Sequence, residues 1–171
     1  MTAARHLLRL AVALRLCLPV VATLALILLA TLPLRVPNVA ALEPLVALIS
    51  VYYWSVYRPD LMPAGAAFLI GLSVDLLSGG PLGLNAVVLV LVQWVAVSQR
   101  RAFVGKSFAV GWLGYLLVAA GAGCLSWLLV MLFHGRLVDP TPAVLGYLTG
   151  ILLYPLAAML LWRLQQIARP A

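Results

Sequence analysis

Chemistry on a protein needs titratable or nucleophilic side chains within reach of one another, and this chain has few of them. The inventory is four acids (Glu43, Asp60, Asp75 and Asp139), two histidines (His6 and His134) and two cysteines (Cys17 and Cys124). General acid–base or nucleophilic catalysis requires a base within hydrogen-bond reach of its partner. The sequence offers no carboxylate pair, no Ser/His arrangement and no His-Glu-x-x-His motif. In the topology derived below, His6 and His134 fall on opposite sides of the molecule, as do Glu43 and Asp60. Both cysteines lie inside apolar runs without CxxC spacing and read as small hydrophobes. His134 reads as a solvated loop histidine, with pH sensing as the sharper alternative. We therefore expect no enzymatic activity, no metal and no cofactor.

One acid stands apart. Asp75 lies inside an apolar stretch, and an ionisable residue in such a stretch is a functional pointer by default. Ala67, Gly71 and Asp75 recur every four residues, which places them on one helical face. Small residues on that face let another backbone approach closely. Two readings follow. In one, Asp75 anchors a partner helix or a ligand in the small-residue groove. In the other, it bonds the free N–H groups of the following turn, Ser78–Gly83, and closes a helical hairpin. That turn is Ser78-Gly79-Gly80-Pro81-Leu82-Gly83. Its glycines are expected to supply positive φ, and Pro81 to open the next helix. The turn has no charge and no Gly-Lys-Ser/Thr continuation, so it is not a phosphate cradle.

A second small-residue face is Gly146-x-x-x-Gly150, with Tyr154 one step further along. Such a face serves internal packing and partner docking equally well. Pro155 removes a backbone N–H and is expected to kink its helix in a buried place. Gly111, Gly114, Gly121 and Gly123 give a further close-packing signature.

The elements that must position these residues follow from composition. Of 171 residues, 65% are hydrophobic and 9% charged, where soluble chains carry about 25% charged residues. Mean hydropathy is +1.15. These values exclude a soluble enzyme, a disordered region and a nucleic-acid-binding domain, and leave a polytopic helical membrane protein. The net charge of +7 does not indicate nucleic acid, because the basic residues fall in short gaps between apolar runs. A span needs about 20 residues. Apolar runs predict a single all-α membrane domain, 1–171, with six spans at about 16–34, 44–57, 63–78, 81–98, 108–133 and 143–162. The second and third are short, at roughly 21–24 Å. The first reads as a retained helix and not as a cleaved signal peptide.

With the N-terminus cytoplasmic, Arg5, Arg9, Arg15, Arg58, Arg100, Arg101, Lys106, Arg163 and Arg169 lie inside, and only Arg35 and Arg136 lie outside. That asymmetry predicts both termini inside. Tyr52, Tyr53, Trp54 and Tyr57, with Trp94 and Trp162, are expected to form the inner aromatic belt. Arg100, Arg101 and Lys106 either hold anionic lipid headgroups or only set topology. Residues Arg163–Ala171 read as a short tail.

The stretch Gly71-Leu-Ser-Val-Asp75-Leu-Leu-Ser78-Gly79-Gly80-Pro81-Leu82-Gly83-Leu-Asn-Ala86 resembles the signature of the rod shape-determining MreD family. That family shows G-x-x-x-D-L-L-S-G-x-P-L-G-x-x-A in its middle. Tyr53-Trp54 followed by Pro59, Gly150 with Tyr154-Pro155, and Arg163 at the basic exit are similar to its flanking segments. The resemblance covers about residues 35–165. It implies a non-enzymatic inner-membrane component of the bacterial elongation machinery that works with the bitopic MreC. The pair would link actin-like MreB to the glycan polymerase RodA and its class B penicillin-binding transpeptidase, for lateral peptidoglycan synthesis and rod shape. On that reading, a pocket or groove shaped by Ala67, Gly71, Asp75, Gly79, Pro81 and Gly83 and open to the outer leaflet would dock an MreC-like segment. A rival of another class is the substrate-capture subunit of a vitamin-type transporter, with Asp75, Asn85 and Tyr154 binding a small solute.

Overall fold

The computed structural model describes residues 19–31, 42–103, 108–135 and 137–167. His6, Cys17, Arg35, Lys106, Arg136, Arg169 and the outer turns of the first predicted span lie outside the described residues. Among the described residues the chain is all-helical, with no strand. The helices are α1 (Pro19–Ala30), α2 (Leu42–Tyr57), α3 (Ala64–Ser78), α4 (Leu84–Phe103), α5 (Phe108–His134) and α6 (Thr141–Ile167). A 3-10 turn, Pro59–Leu61, joins α2 to α3.

Proline and glycine set the boundaries. Pro63 is the N-cap of α3 in extended conformation, and Gly79 ends that helix in the left-handed region at φ 64°, a conformation that costs glycine nothing. Pro81 does not open α4, contrary to the sequence reading. It sits inside the turn, and α4 begins three residues later, after Gly83 at φ 93°. At the other end of the chain, α6 continues through Arg163 to Ile167, so the expected tail is largely helix. It also runs unbroken across half-buried Pro155.

Helix α2 is the centre of the bundle. From Ala47 to Val56 every residue is buried, and α2 packs against α3, α4, α5 and α6. The most extensive pairing is the α3–α4 hairpin. Gln93 on α4 donates to the Met62 carbonyl at 3.1 Å, tying that helix to the α2–α3 connection. The central position of α2 corrects the aromatic belt. Tyr52, Tyr53 and Trp54 are core residues, whereas Trp94 and Trp162 are more than half exposed and do face outward.

The outer surface is apolar. Among the described residues two helices, α5 and α6, are long and apolar enough to cross a membrane, and little of α5 is buried inside the bundle. Leu117, Leu132 and Leu152 are each at least three-quarters exposed. So much exposed leucine is costly in water and natural in hydrocarbon. The short α3 and the described part of α1 are apolar as well.

Candidate functional site

Asp75 is 1% exposed and is the capping residue of a helix other than its own. Its Oδ2 accepts from the backbone N–H of Gly83 at 2.8 Å and of Ala86 at 3.4 Å. Its Oδ1 accepts from the backbone N–H of Asn85 at 3.0 Å and from Asn85 Nδ2 at 2.9 Å. The Leu84 N–H goes to the Pro81 carbonyl. The first turn of α4 leaves N–H groups without intrahelical partners, and in this way they are satisfied within the hairpin. A carboxylate there also faces the positive end of the helix dipole. Of the two readings of Asp75, this geometry corresponds to hairpin closure, with one bond from the last residue of the turn, Gly83, and the others from the first residues of α4.

Gly71 makes the arrangement possible. A Cβ at Gly71 would meet Ala86 Cα and would lie 2.6 Å from Ala86 N and 2.7 Å from Asn85 O. The α3 and α4 backbones touch here, one helical turn below the carboxylate. Ala67, on the same face, is fully buried. This stripe is thus packed inside the chain itself. The turn is different: Gly79, Gly80 and Leu82 are exposed, and Pro81 and Gly83 are half-buried.

Asn85 connects the hairpin to a cavity of about 300 Å³ between α2, α4, α5 and α6. Pro44, Leu48, Leu89, Ser126 and Gly146 line it, with Tyr115 deep inside. Its walls are almost wholly apolar. Because Asp75 holds both the backbone and the side-chain amide of Asn85, it fixes one wall of a cavity that it does not itself line.

The second small-residue face meets this cavity from α6. Gly146 lines it. Gly150 lies against Tyr115, whose hydroxyl would be 2.9 Å from a Cβ at that position. Tyr154 stacks on Tyr115 with ring centroids 4.4 Å apart, and Tyr52 meets both rings edge-on. The Tyr52 hydroxyl donates to the Gly111 carbonyl at 3.0 Å. The Tyr115 hydroxyl is buried without a partner among the described residues. Gly111 and Gly114 are buried, but Gly121 and Gly123 face open space, so the α5 glycines do not form one packing seam.

The structure therefore brings Asp75 and Asn85 together, and Gly146, Gly150 and Tyr154 around Tyr115, but it keeps Asp75 and Tyr154 apart. Sequence reasoning missed Tyr115. Its signal was present as a lone phenol four residues after Gly111, in an otherwise apolar helix. His134 is exposed, with Nδ1 2.9 Å from the Val130 carbonyl. Asp139 caps α6 through the Thr141 N–H and hydroxyl, which hold its carboxyl below the usual carboxylate range. Cys124 is exposed. No cluster of three potential metal ligands occurs among the described residues.

An apolar helical bundle whose one buried carboxylate is consumed in capping, and whose cavity beside Asn85 is largely apolar, is a membrane protein organised around helix packing. The family model of the rod shape-determining protein MreD matches residues 11–164, and the chain belongs to that family. No curated protein and no solved structure matches it. It is thus a rod-shape-determining membrane protein of the MreBCD shape system.

Proposed function

We propose that this protein is a non-enzymatic inner-membrane component of the bacterial cell-wall elongation complex, acting by docking a segment of an MreC-like bitopic partner. All six helices cross the membrane in this reading, with both termini cytoplasmic. The positive-inside asymmetry supports that orientation. The ends of α2, α4, α5 and α6 that surround the cavity then face the outer leaflet, where a partner projecting outward would leave the membrane. Through that partner the protein would act on RodA-type glycan polymerase and its class B penicillin-binding transpeptidase, and indirectly on MreB, so that lateral peptidoglycan synthesis sustains a rod.

The observation that carries this reading is the apolar cavity walled by the Asp75-anchored start of α4. It is large enough for an aliphatic or aromatic side chain and offers little else to recognise. The docking surface is then the cavity mouth with the exposed Gly79–Gly83 turn beside it, while Ala67, Gly71 and Asp75 set its shape from behind. Solute capture fits less well, because Asp75 already accepts four hydrogen bonds and Tyr154 lies outside the cavity.

Depletion in the native host, with imaging of cell outline and fluorescent wall incorporation, tests the role. Rounding with loss of lateral incorporation is expected, rescued by the wild type but not by Gly146→Leu, which fills the cavity. Cells that stay rod-shaped but require one nutrient in excess would refute it in favour of solute capture. Retained partner capture and rod shape in Gly146→Leu would refute the docking site alone.

A further inference from the structure

The end of the bundle remote from Asp75 holds a second cavity, of about 400 Å³, lined by Tyr53, Tyr57, Phe108, Met159, Trp162 and Gln165, with Ala158 at its base. Its character differs from that of the first. Aromatic rings form most of its wall; those of Tyr53 and Tyr57 lie 4.7 Å apart between centroids. Gln165 Oε1 accepts from the Tyr53 hydroxyl at 3.1 Å, which leaves the Gln165 amide N–H groups to donate elsewhere. The Tyr57 hydroxyl has no acceptor among the described residues.

Its depth is set by α6. From Thr141 to Trp162 the helix rises roughly 32 Å, about one hydrocarbon thickness. Trp162 therefore lies at the headgroup level on the far side from Thr141, and it is half exposed there. Arg58 follows Tyr57 directly, and Arg163 follows Trp162. No acid lines the cavity; Asp60, the nearest in sequence, is exposed on the 3-10 turn.

These features select a ligand. Aromatic faces attract an ammonium group. Donors and arginines attract phosphate oxygens. A bare cation would find no carboxylate in the lining to offset its charge. A purely anionic headgroup would leave the ring faces without a cation. We propose that this cavity is a binding site for a zwitterionic phospholipid headgroup, a phosphoethanolamine, from the leaflet at the arginine-bearing end of the bundle. The ammonium sits among the rings of Tyr57, Phe108 and Trp162, and the phosphate accepts from the Tyr57 hydroxyl and the Gln165 amide.

The test reconstitutes the full chain in nanodiscs of equal phosphatidylethanolamine and phosphatidylglycerol and reads retained lipid by native mass spectrometry. The wild type is expected to keep one phosphatidylethanolamine in preference to phosphatidylglycerol. Trp162→Ala should reduce that preference about fivefold, the worth of one cation–π contact, and Tyr57→Phe, which removes a donor to the phosphate common to both lipids, should lower retention of each by about the same factor. Trp94→Ala, at a more exposed tryptophan on α4, should leave the preference unchanged. Tyr57→Phe is conservative and Trp162 is half exposed, so neither should unfold the bundle. Equal retention of the two lipids by the wild type, or an equal effect of Trp162→Ala and Trp94→Ala, would overturn the proposal. So would equal stabilisation by soluble glycerophosphoethanolamine, which would make the ligand a solute and not a bilayer lipid.

Discussion

Replacing Asp75 by alanine removes the acceptor that three backbone N–H groups of the α4 start have among the described residues, together with the partner of the Asn85 amide. Two of the backbone bonds are short, at 2.8 and 3.0 Å, and the third is long, at 3.4 Å. A buried donor left without a partner costs about 1–3 kcal/mol. The two short bonds alone therefore imply roughly 2–6 kcal/mol. Water entering from the exposed turn should recover part of this, so the expected loss is about 3–4 kcal/mol. That is a large fraction of the ~5–15 kcal/mol that holds a typical domain together. Asp75→Asn keeps one acceptor oxygen but turns an NH2 group toward a donor, and should lose about 2 kcal/mol. Asn85→Ala removes only the side-chain bond and should lose about 1 kcal/mol. Unfolding of the purified protein in mixed micelles under a denaturing-detergent titration reads all three. The order Asp75→Ala, Asp75→Asn, Asn85→Ala, from most to least destabilised, is the signature of a cap supplied across the hairpin. If Asp75→Ala fell within about 1 kcal/mol of the wild type, the network would not be holding α4, and the view of Asp75 as the residue that fixes the cavity wall would fail with it.

Three other outcomes follow from single contacts and are read in the same micelle assay. Gly71→Ala pushes a methyl group into the α4 backbone at Ala86 and Asn85, which cannot swing aside, so a loss of about 2–3 kcal/mol is expected; a loss below about 0.5 kcal/mol would mean the helices separate freely. Tyr115→Phe deletes a buried hydroxyl without a partner among the described residues and should be neutral or stabilising by about 1 kcal/mol. It should also relieve Gly150→Ala, whose new methyl meets that hydroxyl at 2.9 Å, and additivity of the two changes would contradict this contact. For Asp139 the folded-state pKa is depressed by its bonds from Thr141, so its contribution is complete above the unfolded carboxylate pKa and is lost as pH falls through the lower, folded value. Asp139→Asn should flatten that acid-range dependence, and an unchanged acid profile would show that the cap contributes nothing.

Much of the architecture is legible in the sequence because the bilayer imposes a coarse rule. Apolar runs bounded by Pro63, Gly79 and Arg100-Arg101 read as helices, and α3 and α5 begin and end within a residue of the expected limits, whereas α4 starts three residues later and ends five residues later. What the runs could not convey is which helix lies in the middle. Lipid-facing and core-facing helices are equally apolar, so hydropathy alone did not distinguish α2, buried along ten consecutive residues, from α5, which is mostly outside. For the same reason Tyr52, Tyr53 and Trp54 read as lipid-facing when they are buried inside the bundle. The four-residue spacing of Ala67, Gly71 and Asp75 did identify a close backbone approach, but spacing is silent on whether the approaching helix belongs to the same chain. The start of α4 was misplaced because Pro81, fit for the first turn of a helix, instead occupies a turn whose last residue, Gly83, takes a positive φ.

The placement of Asp75 explains why a carboxylate is found in a helix that otherwise buries only apolar and small residues. A serine or asparagine at the position of Gly83 would cap α4 locally, but φ 93° there excludes residues with a Cβ from an unstrained fit. The cap must then come from elsewhere, and α3 can supply it only where its backbone touches that of α4. Gly71 provides that touch one turn away. Glycine at 71, aspartate at 75 and glycine at 83 are thus one device with three dependent parts, and replacing any one removes the reason for the other two. It follows that Gly71→Ala and Asp75→Ala should be strongly non-additive. Once the helices are forced apart by the methyl group, the carboxylate no longer reaches Gly83 and Asn85, so its deletion costs little more. A double-mutant cycle with a coupling energy below about 0.5 kcal/mol would break this argument, even if each single variant were destabilised as expected.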